Sequence, residues 1–180
     1  MTLPCTIALA VAAAGVLAGC DPARPGHRAP AFVLPDLKGQ PVSLASCAGH
    51  PVVIAFWASW AAPSRMAWPR WVRLQRTWGS RGVRVLTIAV EDDPAAVTRL
   101  ARDHPNGLAV LLGDAATVER YFGRGDVALP TELVVDGRGV IVRRTVGLGA
   151  AGETDAALAA ALGEGNGRMA SSTLTGGTNP

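Results

Sequence analysis

The chain is 180 residues long, enough for one domain with a sizeable core plus a leader and a tail. Hydrophobic residues make up 49%, and the formal net charge of +3, with a pI near 9.1, is carried almost wholly by arginine. So small an excess suits an anionic membrane surface or an acidic partner. No basic run interleaved with aromatics marks a nucleic-acid groove, and no Cys/His/Asp/Glu cluster has metal-ligand spacing; neither nucleic acid, metal nor cofactor is expected.

Ile7 to Ala18 is an apolar stretch of signal-peptide length, too short for a confident membrane span. It ends in Leu17-Ala18-Gly19-Cys20, which resembles the lipobox of bacterial lipoproteins. The resemblance implies that residues 1–20 are a signal peptide and that the sulfur of Cys20 carries a diacylglycerol. Several acyl chains on one cysteine anchor far better than one, because each buried methylene adds about 0.8 kcal/mol. Met1 to Cys5 lacks the usual positive residue, so an ordinary signal peptide or an uncleaved anchor are the other readings. All three place the domain outside the cytoplasm. Asp21 resembles an inner-membrane retention signal, which implies the periplasmic side of the inner membrane. Residues 21–30 (DPARPGHRAP) read as a proline-rich tether holding the domain off the bilayer, with His27 a solvated linker residue.

Ala31 to Leu37 and Pro41 to Leu44 read as short strands around Lys38-Gly39. A connector with Cys47 follows. Pro51 to Trp57 is apolar on both faces, the mark of a strand in the middle of a sheet. A small-residue turn then leads into a helix opening after Pro63. At about 3.6 residues per turn, Ala67, Trp71, Leu74 and Trp78 share one face and Arg65, Arg70, Arg73 and Arg76 the other, expected as core and solvated faces. Pro69 is expected to kink this helix. Val83 to Val90 reads as a second buried strand. Asp93 and Asp114 are N-cap candidates for two further helices, to about Asp103 and to Phe122, with a strand Leu108 to Leu112 between them. Leu129 to Val142 reads as a hairpin turning at Asp136-Gly137, and Glu153 to Leu162 as a last helix. Gly163 to Pro180, rich in Gly, Ser, Thr and Asn, reads as a disordered tail.

The segment Phe56-Trp57-Ala58-Ser59-Trp60-Ala61-Ala62-Pro63-Ser64 closely resembles the active-site stretch of thioredoxin-like proteins, above all the membrane-anchored TlpA/ResA group. Leu129-Pro130-Thr131-Glu132-Leu133-Val134-Val135-Asp136 resembles that group's closing strand, and the match extends over residues 31–162. It implies an α/β, thioredoxin-like fold: a central mixed sheet, with a parallel core and a C-terminal antiparallel hairpin, flanked by helices. It also implies a cis proline at Pro130 facing the active-site turn. Trp57, Trp60 and Pro63 stand where the family has them. Ala61 and Ser64 stand at its two redox cysteines, and Ala67 at a glutamate that assists proton transfer.

With the leader removed and Cys20 acylated, Cys47 is the one free thiol, whereas a dithiol cycle within one chain needs two. The leading expectation is therefore a degenerate family member, without thiol-disulfide activity, that binds an envelope protein or peptide through Trp60, Ala62, Pro63, Trp68, Leu129 and Pro130. The rival is a thiol-disulfide oxidoreductase or thiol peroxidase using Cys47 with an external thiol. Ser64 lacks a neighbouring base and reads as a hydrogen-bonding residue, not a nucleophile. Gly147-Leu148-Gly149-Ala150-Ala151-Gly152 fits a dinucleotide-binding pattern but lacks the following strand and acidic residue. Arg124-Gly125-Asp126 and His104 read as loop residues.

Overall fold

The computed structural model describes residues 22–90, 93–103, 107–124, 126–149 and 152–163. The leader, Cys20, His104 and the tail beyond Gly163 lie outside them. Two short antiparallel strands, β1 (Val33–Pro35) and β2 (Pro41–Ser43), precede a 3-10 turn at Leu44–Cys47. The main sheet holds β3 (Val52–Trp57), β4 (Arg84–Ala89), β5 (Ala109–Leu112), β6 (Thr131–Val135) and β7 (Ile141–Val146), in the order β5-β4-β3-β6-β7. β3, β4 and β5 are parallel, while β6 and β7 run antiparallel to their neighbours. Helices α1 (Ala62–Trp78), α2 (Pro94–Asp103), α3 (Ala115–Phe122) and α4 (Glu153–Ala161) complete the α/β fold.

The apolar run of β3 is explained by its central place. Side chains alternate along a strand, so Val52, Ile54 and Phe56 enter one core with Leu34, Leu133 and Tyr121. Val53, Ala55 and Trp57 enter a second core with Trp68, Trp71, Leu74 and Val134. Of the expected α1 faces, the apolar one is borne out in full: Ala67, Trp71, Leu74 and Trp78 are all buried. The helix begins at Ala62, and Pro69 sits inside it without splitting the element.

On the basic face Arg65, Arg73 and Arg76 are exposed as their spacing predicts, and Arg70 is the departure. Arg70 has a side chain only 17% exposed and reaches Glu132 at 3.1 Å, the hydroxyl of Thr154 and the carbonyl of Leu148. Arg73 pairs with Asp155 at 3.1 Å. Helical periodicity reports direction, whereas these arginines lean onto α4, which arrives from about 80 residues downstream.

Residues 22–30 also depart from expectation. They are not a free tether: Ala23 is fully buried in the first core, and the segment lies beside the start of β7. Gly26 N–H donates to Ile141 at 2.8 Å, Ile141 N–H to His27 at 2.8 Å and Ala29 N–H to Gly139 at 2.9 Å. Proline excludes helix and central strand, but leaves isolated pairing at a sheet edge available. His27 is partly buried and accepts from Arg24 at 3.0 Å.

Asp136 holds the β6–β7 turn. One carboxylate oxygen accepts from the Arg138 and Val140 amides, both at 2.9 Å, and the other accepts from the Arg138 guanidinium at 2.8 Å. Burial pushes this carboxyl up, but the Val140 and Arg138 hydrogen bonds and the Arg138 charge together hold it below its ordinary 3.8. A depressed carboxylate pKa stabilises the fold fully above the unfolded value, and the contribution is lost as pH falls through the folded one. Asp136→Asn is therefore expected to lower Tm at neutral pH, with the gap to wild type closing as pH falls below about 3.8. Melting curves across pH 2–7 (roughly the carboxylate range) check this; a gap independent of pH overturns it.

Candidate functional site

At the end of β3 the chain leaves the sheet at Ala58, turns, and enters α1. Ala61 is the N-cap, with extended φ −83° and ψ 113° and no side-chain cap. Pro63 occupies the first helical turn, where its missing N–H costs nothing. Ala58 N–H donates to the Ser64 hydroxyl at 3.3 Å, Ala61 N–H to the Ala58 carbonyl at 3.2 Å, and Arg65 to the Ser59 carbonyl at 2.8 Å. The turn is thus pinned from inside. Ser64 is completely buried and faces the backbone, which fits the reading of it as a hydrogen-bonding residue.

β6 brings the second half of the site. Thr131 pairs with Phe56, so Leu129-Pro130 stands at the same end of the sheet as the turn, and the Leu129–Pro130 bond is cis as the resemblance implies. Pro130 is buried and its carbonyl accepts from Gly147 at 2.8 Å; the Ala128 carbonyl accepts from the Thr131 hydroxyl at 2.6 Å. These two carbonyls are therefore already used. Trp60, by contrast, is 64% exposed, with Ala62, Pro63 and Met66 also exposed and Leu129 partly so.

Trp68 does not belong to this surface. It is 1% exposed, with its ring 4.9 Å from Trp57 and 6.0 Å from Trp71, so the expectation of a binding role is corrected. Its place at the edge of the helical stripe could not reveal that β3 sends a second tryptophan to meet it. Ala61 and Ala67 are likewise buried. Cys47 is 8% exposed, packed in the first core and located before β3 begins. β3 separates it from the Ala61–Ser64 turn by about 20 Å of extended chain.

One polar cluster escaped the sequence reading. Glu132, 4% exposed, accepts from Arg70 at 3.1 Å, Trp71 Nε1 at 3.0 Å and the Thr154 hydroxyl at 2.5 Å. The available signal was a carboxylate inside an otherwise apolar strand, which must find a cation when buried. Asp155 adds a related contact: it accepts from Trp78 at 2.8 Å as well as from Arg73. Among the described residues, no group of three His, Cys, Asp or Glu side chains could hold a metal ion.

A parallel–antiparallel sheet, a helix starting at the β3 turn and a cis proline opposite it define a thioredoxin-like domain of TlpA/ResA type. The AhpC/TSA family model matches residues 25–144, and the chain belongs to that family. It is 25% identical over 122 residues to the thiol-disulfide oxidoreductase ResA of Bacillus thuringiensis (strain Al Hakam), covering 68% of this chain and 69% of the relative. Against ResA of Geobacillus thermodenitrificans (strain NG80-2) the identity is 27% over 122 residues, covering 68% and 69%. A thiol:disulfide interchange protein of the thioredoxin family from Chlorobium tepidum TLS superposes with a TM-score of 0.68 at 29% identity, covering 78% of this chain and 98% of that one.

Proposed function

We propose that this protein is a cell-envelope lipoprotein anchored through Cys20, which has lost thiol-disulfide chemistry and retains a surface for extended polypeptide. The observation that carries the reading is the pair Ala61 and Ser64 at the start of α1. A thiolate stabilised by the helix N-terminus needs sulfur at the first, and resolution of a mixed disulfide needs sulfur at the second. A methyl group and an inward-facing hydroxyl supply neither. Cys47, the thiol the rival reading requires, is buried at the other end of β3. The full-length protein is expected to reduce insulin disulfides and consume peroxide no faster than the uncatalysed controls. Turnover abolished by Cys47→Ser would overturn the reading.

The binding surface is smaller than the sequence suggested and centres on Trp60. An aromatic ring exposed beside a strand end gives an apolar contact for a peptide laid against it. Trp60→Ala is expected to leave Tm within about 1–2 °C, as for a surface change of under ~0.5 kcal/mol, while cutting retention of envelope polypeptides several-fold. Equal retention by wild type and variant rules the surface out. Trp68→Ala is the contrasting variant. It empties a core position and is expected to cost about 3–5 kcal/mol, read as a large fall in Tm.

A further inference from the structure

The two ends of the sheet carry opposite charge. At the end away from Trp60, β3 and β4 begin, β6 turns into β7, and the 22–28 segment pairs with the start of β7. Besides the α2–β5 connection, the segments closing this end are 22–28, 47–51, 79–84 and 136–140. They hold Arg24, Arg28, Arg81, Arg84 and Arg138, all exposed, together with His27 and His50. These four segments hold one carboxylate, Asp136, itself buried and paired with Arg138, and the end of α2 adds one exposed charge of each sign, Arg102 and Asp103. At the Trp60 end, the connections hold Asp93, Asp114 and Asp126 against Arg65 and Arg124 among the described residues.

The docked N-terminal segment gives this polarity a consequence. Pro22 is already partly buried and Ala23 wholly so, and a single residue, Asp21, separates Pro22 from Cys20. Two residues reach at most about 7 Å. A lipidated Cys20 therefore leaves no slack for the domain to swing on a tether.

From this we infer that the domain rests directly on an anionic bilayer, arginine-rich end down, with the Trp60 surface turned to the aqueous space. This rests on the lipidation of Cys20 in the function proposed above. Each arginine held within a Debye length of anionic headgroups strengthens association by roughly fivefold, and salt weakens it. The six residues of β3 set Trp60 about 20 Å or more above the headgroups, leaving that surface open to polypeptide. Of the α1 arginines, Arg70 and Arg73 are committed to Glu132 and Asp155, while Arg76, exposed in the last turn of the helix, lies toward the arginine-rich end.

The test uses full-length protein purified with its anchor and reconstituted into vesicles of phosphatidylcholine, with or without phosphatidylglycerol. A fluorophore is placed at Ala48→Cys, exposed at the arginine-rich end, or at Met66→Cys, 67% exposed at the other. Quenching by headgroup-labelled lipid is expected to be several-fold stronger at position 48 in anionic vesicles. It should fall at high salt and in the Arg28→Glu/Arg81→Glu variant, whose Tm is measured alongside to confirm folding. Equal quenching at both positions, or quenching indifferent to charge reversal in a folded variant, overturns the orientation while leaving the lipoprotein reading intact. Mass spectrometry of the N-terminal peptide is read separately. An unmodified Cys20 overturns the lipoprotein reading and removes the short anchor on which the orientation depends.

Discussion

Replacing Ala61 and Ser64 together by cysteine is expected to raise insulin-disulfide reduction at least about tenfold above wild type, a barrier change of ~1.4 kcal/mol or more. The scaffold still offers what a thiolate there needs. Ala61 caps a 17-residue helix with no acidic residue in its first turn, so the helix dipole and unsatisfied N–H groups favour negative charge at that position. Such sites lower a cysteine pKa from about 8.5 to roughly 3.5–7.5. Position 64 is buried and receives the Ala58 amide, a contact a sulfur can take over. Ala61→Cys alone should form mixed disulfides that persist, because no second thiol resolves them. If the double variant forms its disulfide but is no faster than wild type, the loss extends beyond sulfur to the surrounding surface.

Glu132→Ala is expected to destabilise the fold by about 3–5 kcal/mol, since removing one partner strands a buried charge and its donors. Trp71 Nε1 and the Thr154 hydroxyl lose their carboxylate acceptor at once, and Arg70 loses its ion pair while keeping the Leu148 carbonyl. For a domain of this size the fall in Tm is roughly 10–20 °C. Arg70→Met/Glu132→Leu should recover much of it, because replacing both charges by apolar groups removes the desolvation cost together with the attraction. A double-mutant cycle followed by urea unfolding measures the coupling. Additive single effects would mean that the two side chains merely neighbour each other.

This cluster marks where local sequence signals stopped being informative. Strand β3, the Asp114 cap, whose side chain accepts from Thr117, and the hairpin turn at Asp136 were legible because each depends on a few consecutive residues. Arg70 was misplaced on a solvated face because its partners, Glu132 and Thr154, lie 62 and 84 residues away. Trp68 was misplaced for the same reason: Trp57, which walls it in, belongs to a different element. The proline-rich 22–30 segment carries no pattern announcing that Ile141 and Gly139 will bond to its backbone.

The sequence by itself determined the family resemblance, the strand–helix alternation and the identity of Ala61 and Ser64 where the resembled group carries cysteine, since these are matters of residue identity and short-range periodicity. Only the tertiary structure decided which aromatics face solvent, where the arginines spend their charge and whether the N-terminal segment is free. Those outcomes depend on which distant surfaces meet. A side chain's exposure is set by what packs over it, and no local spacing records that.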